Sequence, residues 1–299
     1  MLERLGPGST IQLSKLVVET TQLYPIYNRT VARGKLFIGT SMPTLIWEIA
    51  RYRELIWALA LKDLRVRYKR SALGFLWALL NPLLTMAILT IVFSTVMRIP
   101  VDHYAIFLLS ALLPWTFFVQ ALSYTVESIV GNGELLKKVA IGKSVFPVAA
   151  VLSNLINFFL SLIPLAILLL VLRFPVHWTW IYLPIPLLAL IAFTLGCGFF
   201  CAAANVFFRD VSHIIQIVLS AWFYACPIIY SLDFVPKRYA LLFRLNPLVY
   251  ILNGFRLGIY YGQLPSLGST AMSAACGLGF LVLGYAFFRH HQDTFVYYV

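Results

Sequence analysis

Six long apolar segments constrain the fold of this 299-residue chain more than any other feature. A helix needs about twenty predominantly apolar residues to cross the hydrocarbon core of a bilayer. The segments that qualify are residues 73–97, 104–126, 145–172, 180–207, 211–230 and 271–288. They are much longer than barrel strands and do not alternate apolar with polar residues, which argues against strands. Because 61% of the residues are hydrophobic and only 11% are charged, we predict an all-α integral membrane protein with six transmembrane helices.

Positive charge is unevenly distributed along the chain, and this predicts its orientation. Twelve of the 23 Lys and Arg residues precede position 73. Cationic segments are retained in the cytoplasm, so we expect the N-terminus inside and, after six spans, the C-terminus inside as well. That topology places 17 cationic residues on the cytoplasmic side and six on the other. The net charge of +12 therefore indicates topology and contact with anionic membrane lipids, and we expect no nucleic acid partner.

Residues 44–70, just before the first span, have the pattern of an amphipathic helix lying in the cytoplasmic interface. The apolar face carries Leu45, Ile49, Tyr52, Ile56, Leu59 and Leu64. The charged face carries Glu48, Arg51, Lys62, Arg65 and Lys69. Ahead of this helix, residues 1–43 form a cytoplasmic extension whose role the pattern does not indicate.

The loop of residues 128–144 contains Gly142-Lys143-Ser144, which matches the end of a phosphate-binding P-loop. A P-loop also needs a glycine five positions before Gly142, where this chain has Lys137, and a preceding strand. We therefore expect no ATP binding by this loop. Its helix-forming part offers an apolar anchor beside charges, which suits docking to a partner, although the charges alone would also keep the loop in water. The residues concerned are Glu134, Leu135, Leu136, Lys137, Lys138 and Val139.

A second informative segment, residues 232–262, lies on the predicted outer side. It is hydrophobic, but Asn246-Pro247 interrupts it and it contains Arg244 and Arg256. Each half is too short to cross a bilayer, so we predict a re-entrant or interfacial helical hairpin. Two additional spans are the alternative, and each would need a buried Arg.

The predicted spans contain little chemistry of the kinds that drive ion-coupled transport or catalysis. None of the 11 acidic residues lies in the middle of a span, which disfavours a proton- or sodium-driven carrier. No His, Asp, Glu or Cys cluster suggests an acid and base pair or a metal site, and the four cysteines lie in apolar runs as packing residues. We expect no metal and no cofactor on this chain.

Spans two and five instead contain aromatic and uncharged polar side chains. Aromatic faces stack on sugar rings, so these side chains suit a conduit for a hydroxyl-rich substrate. The alternative is that they face lipid or the membrane interface, as most such residues do. The candidate conduit residues are Trp115, Phe118, Tyr124, Trp222 and Tyr224.

Three stretches of the sequence resemble the transmembrane subunit of bacterial polysaccharide ABC exporters, the type-2 export permeases for O-antigen, capsule or teichoic-acid chains. They are LKDLRVRYKRSALGFLWALLNPLL (61–84), NVFFRDVSHIIQIVLSAWFYACPIIY (205–230) and LNPLVYILNGFRLGIYYG (245–262). The chain departs from the family at Ile141-Gly142-Lys143, where family members often have Phe-Pro and a basic residue.

The resemblance implies a homodimer that binds two copies of a cytoplasmic ABC ATPase, with ATP and Mg²⁺ on that partner and a lipid-linked polysaccharide as substrate. The location implied is the bacterial cytoplasmic (inner) membrane. Residues 44–70 correspond to an interface helix, 128–144 to a coupling loop and 232–262 to an outer gate, within a permease domain of residues 71–299. The interface residues are Arg51, Arg53, Lys62, Arg65 and Tyr68, and the gate residues are Asn246, Pro247, Tyr250 and Arg256.

Two other functions compete with this interpretation. An ABC exporter permease for a drug, a small lipid or another glycoconjugate has the same architecture. A membrane enzyme such as a glycosyltransferase needs acidic or His-rich loops, and the longest loops of this chain are poor in both.

Overall fold

The structure is a computed structural model that describes residues 42–69, 71, 73–74, 76–96, 101–138 and 141–299. Every regular element in these ranges is helical, which confirms the predicted all-α class. The α-helices are α1 (Met42–Arg51), α2 (Arg53–Tyr68), α3 (Leu76–Thr90), α4 (Tyr104–Glu127), α5 (Gly133–Lys138), α6 (Val145–Val171), α7 (Pro184–Phe207), α8 (Val211–Tyr224), α9 (Ala240–Leu245), α10 (Pro247–Arg256), α11 (Leu267–His291) and α12 (Phe295–Tyr298). Most of the predicted N-terminal extension, residues 1–41, lies outside the described residues.

Four helical segments in the described part of the chain are long and apolar enough to cross a membrane. They are Tyr104–Glu127, Val145–Val171, Trp178–Phe207 and Leu267–Tyr298. Two shorter apolar helices, Leu79–Ser94 and Val211–Tyr224, occupy the positions predicted for spans one and five. In the described part of the chain each predicted segment therefore contains a helix, but the helices in segments one and five are shorter than predicted.

The two short helices end in different ways. The helix α3 continues into a π-helical turn, Ile91–Val96. The helix α8 ends at Tyr224, shortly before Pro227, because a proline disfavours helical geometry in the residue that precedes it. The predicted span 211–230 was therefore too long at its C-terminal end.

The helices α7 and α11 make the closest contact between predicted spans. A Cβ atom added at Gly284 would overlap the Gly196 carbonyl oxygen, and one added at Gly277 would lie 2.6 Å from the Ala189 carbonyl oxygen. Small residues let helix backbones approach one another in membranes, where packing replaces the hydrophobic effect as the driving force.

Buried side chains form two clusters. The larger one lies between the spans and includes Phe107, Phe118 and Phe193. The second lies at one end of the bundle and joins α1, α2, α5 and α6 to the ends of α7 and α11, through residues such as Leu45, Ile56, Leu136, Phe199 and Phe288. We call this end the α5 end.

The amphipathic segment 44–70 forms two helices, α1 and α2, instead of one. The chain bends at Tyr52, which leaves helical geometry with φ −102° and ψ 20°. The prediction of one continuous helix was wrong at this residue. The predicted apolar face was correct, since Leu45, Ile56, Leu59 and Leu64 are buried.

Candidate functional site

The short helix α5 lies at the α5 end, after a 3₁₀ turn at Val130–Asn132. Leu136 is buried in the second cluster and Leu135 is half-buried against it. The exposed side chains are Glu134, Lys137 and Lys138. The two leucines thus anchor α5 to its own chain, and the surface that α5 presents outward is charged. Val139 lies outside the described residues.

Three cations, one on α5, one in the loop that follows α5 and one between α7 and α8, donate hydrogen bonds to backbone carbonyls of residues 292–299, which we call the C-terminal segment. Lys137 Nζ donates to the Val299 oxygen at 2.6 Å, and Arg209 Nη2 donates to the Tyr298 oxygen at 3.3 Å. Lys143 Nζ donates to the Gln292 oxygen. Gly133, the first residue of α5, packs directly against the Val299 side chain. The C-terminal segment therefore supports α5 and the loop that follows it.

Glu48 forms a polar junction at the α5 end. Its side chain is buried, and Arg289 Nη1 donates to its Oε1 at 2.8 Å. Ser144 Oγ donates to its Oε2, and the backbone at Gly142 packs closely against the same carboxylate. Glu48 thus connects α1, the start of α6 and the end of α11.

Glu48 was predicted on the charged face of a surface helix, and the structure contradicts this. Its position three residues after Leu45 and four before Tyr52 places it beside the apolar face, because residues three and four apart share a helix face. This spacing indicates a buried position, but the acidic side chain led to the prediction of an exposed one. Burial is tolerated here because the carboxylate is ion-paired and hydrogen-bonded.

The predicted interface residues occupy the outer side of α1 and α2, with one exception. Arg51, Arg53, Lys62 and Arg65 are exposed. Lys62 Nζ donates to Asn132 Oδ1 at 3.3 Å, which links α2 to the turn before α5. Tyr68 is half-buried, and its hydroxyl donates to Asn157 Oδ1 of α6 at 2.9 Å.

Burial shifts the pKa of two charged groups near this end. It lowers the pKa of the Lys143 ammonium, and the neighbouring Asp293 partly opposes the shift. It raises the pKa of the Asp63 carboxyl, against the attraction of Lys62 and Arg67. In both cases the surroundings disfavour the charged form.

The candidate conduit aromatics divide into two groups. Trp115 and Phe118 are buried inside this chain, where Phe118 packs against Trp222 with ring centroids 5.7 Å apart. Trp222 is half-buried, and its Nε1 donates to Asn246 Oδ1 at 3.1 Å. Tyr124 and Tyr224 are exposed by 46% and 71%. Of the five, only Tyr224 is more than half exposed, because the Arg67 guanidinium lies over the Tyr124 ring.

The predicted gate segment begins with two 3₁₀ turns, Leu232–Phe234 and Lys237–Tyr239, and continues with α9, α10 and the π-helical turn Leu257–Tyr261. Asn246 begins α10, since its Oδ1 accepts from the Leu248 N–H at 3.1 Å, and Pro247 occupies the first turn. Tyr250 donates its hydroxyl to the Arg244 carbonyl oxygen at 2.9 Å, which ties α10 to α9.

Arg256, the last residue of α10, is 3% exposed and donates hydrogen bonds to carbonyl oxygens of the backbone that follows α8. Its guanidinium donates to the Ile228 carbonyl oxygen at 2.7 Å and to that of Pro227. It also lies 3.9 Å above the Phe107 ring, while the Tyr104 hydroxyl donates to the Ile229 carbonyl oxygen at 2.8 Å. Sequence reasoning identified Arg256 and missed its partners on α4.

No group of three His, Cys, Asp or Glu side chains lies close enough to hold a metal ion within the described ranges. The four cysteines, all in described positions, are unpaired.

Comparison with known proteins gives a consistent set of relatives. The family model for the ABC-2 type transporter matches residues 54–260. The chain is 34% identical over 258 residues to the O-antigen export system permease protein RfbA of Myxococcus xanthus, which covers 85% of this chain and 98% of that protein. It is 32% identical over 197 residues to a protein of the same name from Klebsiella pneumoniae, with 65% and 76% covered. It is 24% identical over 248 residues to the polysialic acid transport protein KpsM of Escherichia coli, with 79% and 93% covered.

Proposed function

The chain belongs to the ABC-2 type transporter family, and on this basis we propose that it is the permease subunit of an ATP-driven exporter of lipid-linked polysaccharide, O-antigen in particular. The observation that carries the proposal is the similarity to an O-antigen export permease along 98% of that protein. The chain is a transport subunit and not an enzyme. Its four long apolar helices are consistent with that role.

The proposed arrangement has six spans in the bacterial cytoplasmic membrane, with both termini on the cytoplasmic side. The two shorter apolar helices, Leu79–Ser94 and Val211–Tyr224, would be spans one and five. A span shorter than the hydrocarbon core is accommodated by local thinning of the bilayer or by association with other helices. The segment from α9 to Tyr261 would form the outer gate.

ATP and Mg²⁺ would bind to two copies of a cytoplasmic ABC ATPase, with α5 as the main contact on each permease. The exposed Glu134, Lys137 and Lys138 offer that partner a charged surface. A push on α5 would reach α1 and α11 through the C-terminal segment and through the Glu48–Arg289 pair. These links between separate helices support a mechanical role for the α5 end.

The conduit would form between two copies of this chain. Leu219 is the one fully buried residue among the 14 described residues of α8, and Ile217 on the same helix is 71% exposed. On α3 and its π-helical extension, Ile88 and Ile91 are each 61% exposed. These faces have little contact with their own chain, so we assign the second copy to them.

Deletion of the gene tests the function directly. We expect the deletion strain to lose surface polysaccharide and to accumulate lipid-linked glycan in the cytoplasmic membrane, and a plasmid copy of the gene should restore export. Normal surface polysaccharide together with lost resistance to a drug would overturn the proposal in favour of a drug exporter.

Cysteine crosslinking tests the dimer. In membranes treated with copper phenanthroline as the oxidant, an Ile217→Cys variant is expected to form an intermolecular disulfide. The matched control is Leu170→Cys on α6, which is 76% exposed and should remain monomeric. Equal crosslinking at both positions would indicate random collision and contradict the assigned interface.

A further inference from the structure

One cluster of polar side chains contains the Tyr68–Asn157 hydrogen bond described above and is centred on Arg67, whose role has not been assigned. Arg67 Nη2 donates to Asn154 Oδ1 at 3.2 Å, and its guanidinium lies 4.0 Å from the Tyr124 ring centroid. Next to it, Asn157 accepts from Tyr68 and donates from Nδ2 to Gln120 Oε1 at 3.1 Å. We call Arg67, Tyr68, Gln120, Tyr124, Asn154 and Asn157 the Arg67 cluster.

Arg67 forms no ion pair with another residue of the described ranges. The described residues contain no carboxylate oxygen within 4.0 Å of its guanidinium, and Asp63, one turn earlier on α2, influences it only at longer range. Its Nε atom is buried without a hydrogen-bond partner in the part of the chain that the structure describes. A guanidinium offers five N–H donors, and an unpaired buried donor on a charged group is costly. The site therefore favours an anionic ligand.

The position of the cluster suggests where that anion comes from. Asn154 is nine residues into α6, about 14 Å from its first residue, and Tyr124 is three residues from the end of α4, about 5 Å. In a bilayer whose surface lies at the α5 end, Tyr124 would therefore lie near the headgroups and Asn154 deeper in the same leaflet. The Tyr124 ring over Arg67 is 46% exposed, so the site is open on that side.

We propose that the Arg67 cluster binds the phosphate or diphosphate headgroup of a membrane lipid, with the lipid chain outside the bundle. This inference rests on the proposed function and deepens it, because the headgroup would belong to the lipid that carries the polysaccharide. A guanidinium matches phosphate oxygens in a bidentate geometry that a lysine does not reproduce. The Asn154 and Asn157 amides are held by their own hydrogen bonds and fix the position of Arg67 and Tyr68. Tyr124 would move aside as the headgroup enters.

The test measures binding to the purified full-length chain in phosphatidylcholine nanodiscs, with geranylgeranyl diphosphate as the probe. Geranylgeraniol has the same lipid chain without phosphate, and sodium diphosphate has the anion without the lipid chain. We expect each of these to bind at least about tenfold more weakly than the complete probe. Equal binding of geranylgeraniol would overturn an anion site, and equal competition by sodium diphosphate would overturn a lipid site.

Variants assign the binding to Arg67. Arg67→Gln should weaken binding of the probe about tenfold or more, and Arg67→Lys should fall between Arg67→Gln and the unmodified chain. Arg65→Gln removes an equal charge from the exposed side of the same helix and should bind normally. Equal losses of probe binding in Arg65→Gln and Arg67→Gln would show that binding depends on the overall surface charge and not on Arg67 itself, which would contradict the proposal.

A second substitution keeps the test informative if Arg67→Gln does not fold. Tyr124→Ala removes the ring over Arg67 without changing charge and should bind the probe as well as, or a few-fold better than, the unmodified chain. Loss of binding in a folded Tyr124→Ala protein would contradict the assigned entry side. The binding assay is independent of export, so normal polysaccharide in the deletion strain would overturn the proposed function without affecting this result.

Discussion

Glu48 and Arg289 lie 241 positions apart in the sequence, and their side chains form a 2.8 Å ion pair that joins the first described helix to the end of the last long helix. The pair is largely buried, with side-chain exposures of 8% for Glu48 and 23% for Arg289. Removing one partner of such a pair leaves the other charge uncompensated.

We expect Glu48→Gln and Arg289→Gln each to lower the free energy of unfolding by about 2 kcal/mol or more. The double variant should lose less than the sum of the two, by about 1 kcal/mol, because the residues share one interaction. SDS titration in detergent micelles measures these differences. Glu54→Gln, on the exposed side of α2, is the matched control, and additive losses would show that the pair is not coupled.

The contact between α7 and α11 predicts a difference between two glycines of the same helix. Gly284→Ala should destabilise the protein by about 1–3 kcal/mol, because the added methyl meets the Gly196 backbone and cannot be accommodated by a side-chain rotation. Gly279→Ala has no heavy atom within 4 Å of the new Cβ and should be neutral or slightly stabilising. Similar thermal midpoints for both variants would contradict this packing.

Charge reversal on α5 tests the docking role of its exposed face. Glu134→Lys and Lys138→Glu should each reduce export at least about fivefold while the protein remains folded, because like charges are brought together across the interface. Arg238→Glu, an exposed reversal in the gate segment, should leave coupling to the ATPase unchanged.

Leu136→Ala should behave differently and lower stability by about 2–5 kcal/mol, since Leu136 belongs to the second cluster. Full export in both folded charge-reversal variants would exclude α5 as the main contact.

We expect that even a conservative replacement of Arg256 destabilises the protein. Arg256→Lys keeps the positive charge, but an ammonium group cannot reproduce the two hydrogen bonds that the planar guanidinium donates to the Pro227 and Ile228 carbonyl oxygens. We therefore expect the free energy of unfolding to fall by about 2 kcal/mol. Arg244→Lys, at an exposed site six residues before Tyr250, should change stability by less than about 0.5 kcal/mol. Equal effects of the two substitutions would mean that Arg256 contributes charge alone.

Asp63 gives a pH-dependent prediction. Because burial raises the pKa of its carboxyl in the folded protein above 3.8, ionised Asp63 favours the unfolded chain at about pH 7. Asp63→Asn should therefore have an equal or higher thermal midpoint at that pH. The difference should shrink as the pH falls through the folded-state pKa towards 3.8, where both states become protonated. A variant that is less stable at about pH 7 and equal at low pH would reverse the assigned sign.

Much of the helical framework was predictable from local sequence. The length and composition of the apolar runs predicted the helices, and the spacing of Ile56, Leu59 and Leu64 predicted the buried side of α2. These features depend on residues within one or two helical turns, which is the range over which sequence periodicity carries information.

Long-range partnerships were not predictable in the same way. The burial of Glu48 depends on Arg289 and Ser144, which are distant in sequence, and the burial of Arg256 depends on carbonyls released by the early end of α8. The aromatic residues Trp115 and Phe118 have the composition of a conduit wall, but they pack against other parts of the same chain. Composition does not distinguish a side chain that faces a neighbouring helix from one that faces a pore.

The hydrogen bonds to the C-terminal segment have a consequence for its tolerance of sequence change. Lys137, Lys143 and Arg209 all donate to main-chain oxygens, and every residue type provides such an oxygen. The segment can therefore exchange many of its side chains and still support α5, provided that its backbone path is kept. Saturation mutagenesis of residues 292–299 should accordingly find proline and short deletions harmful, and most exchanges at exposed positions neutral.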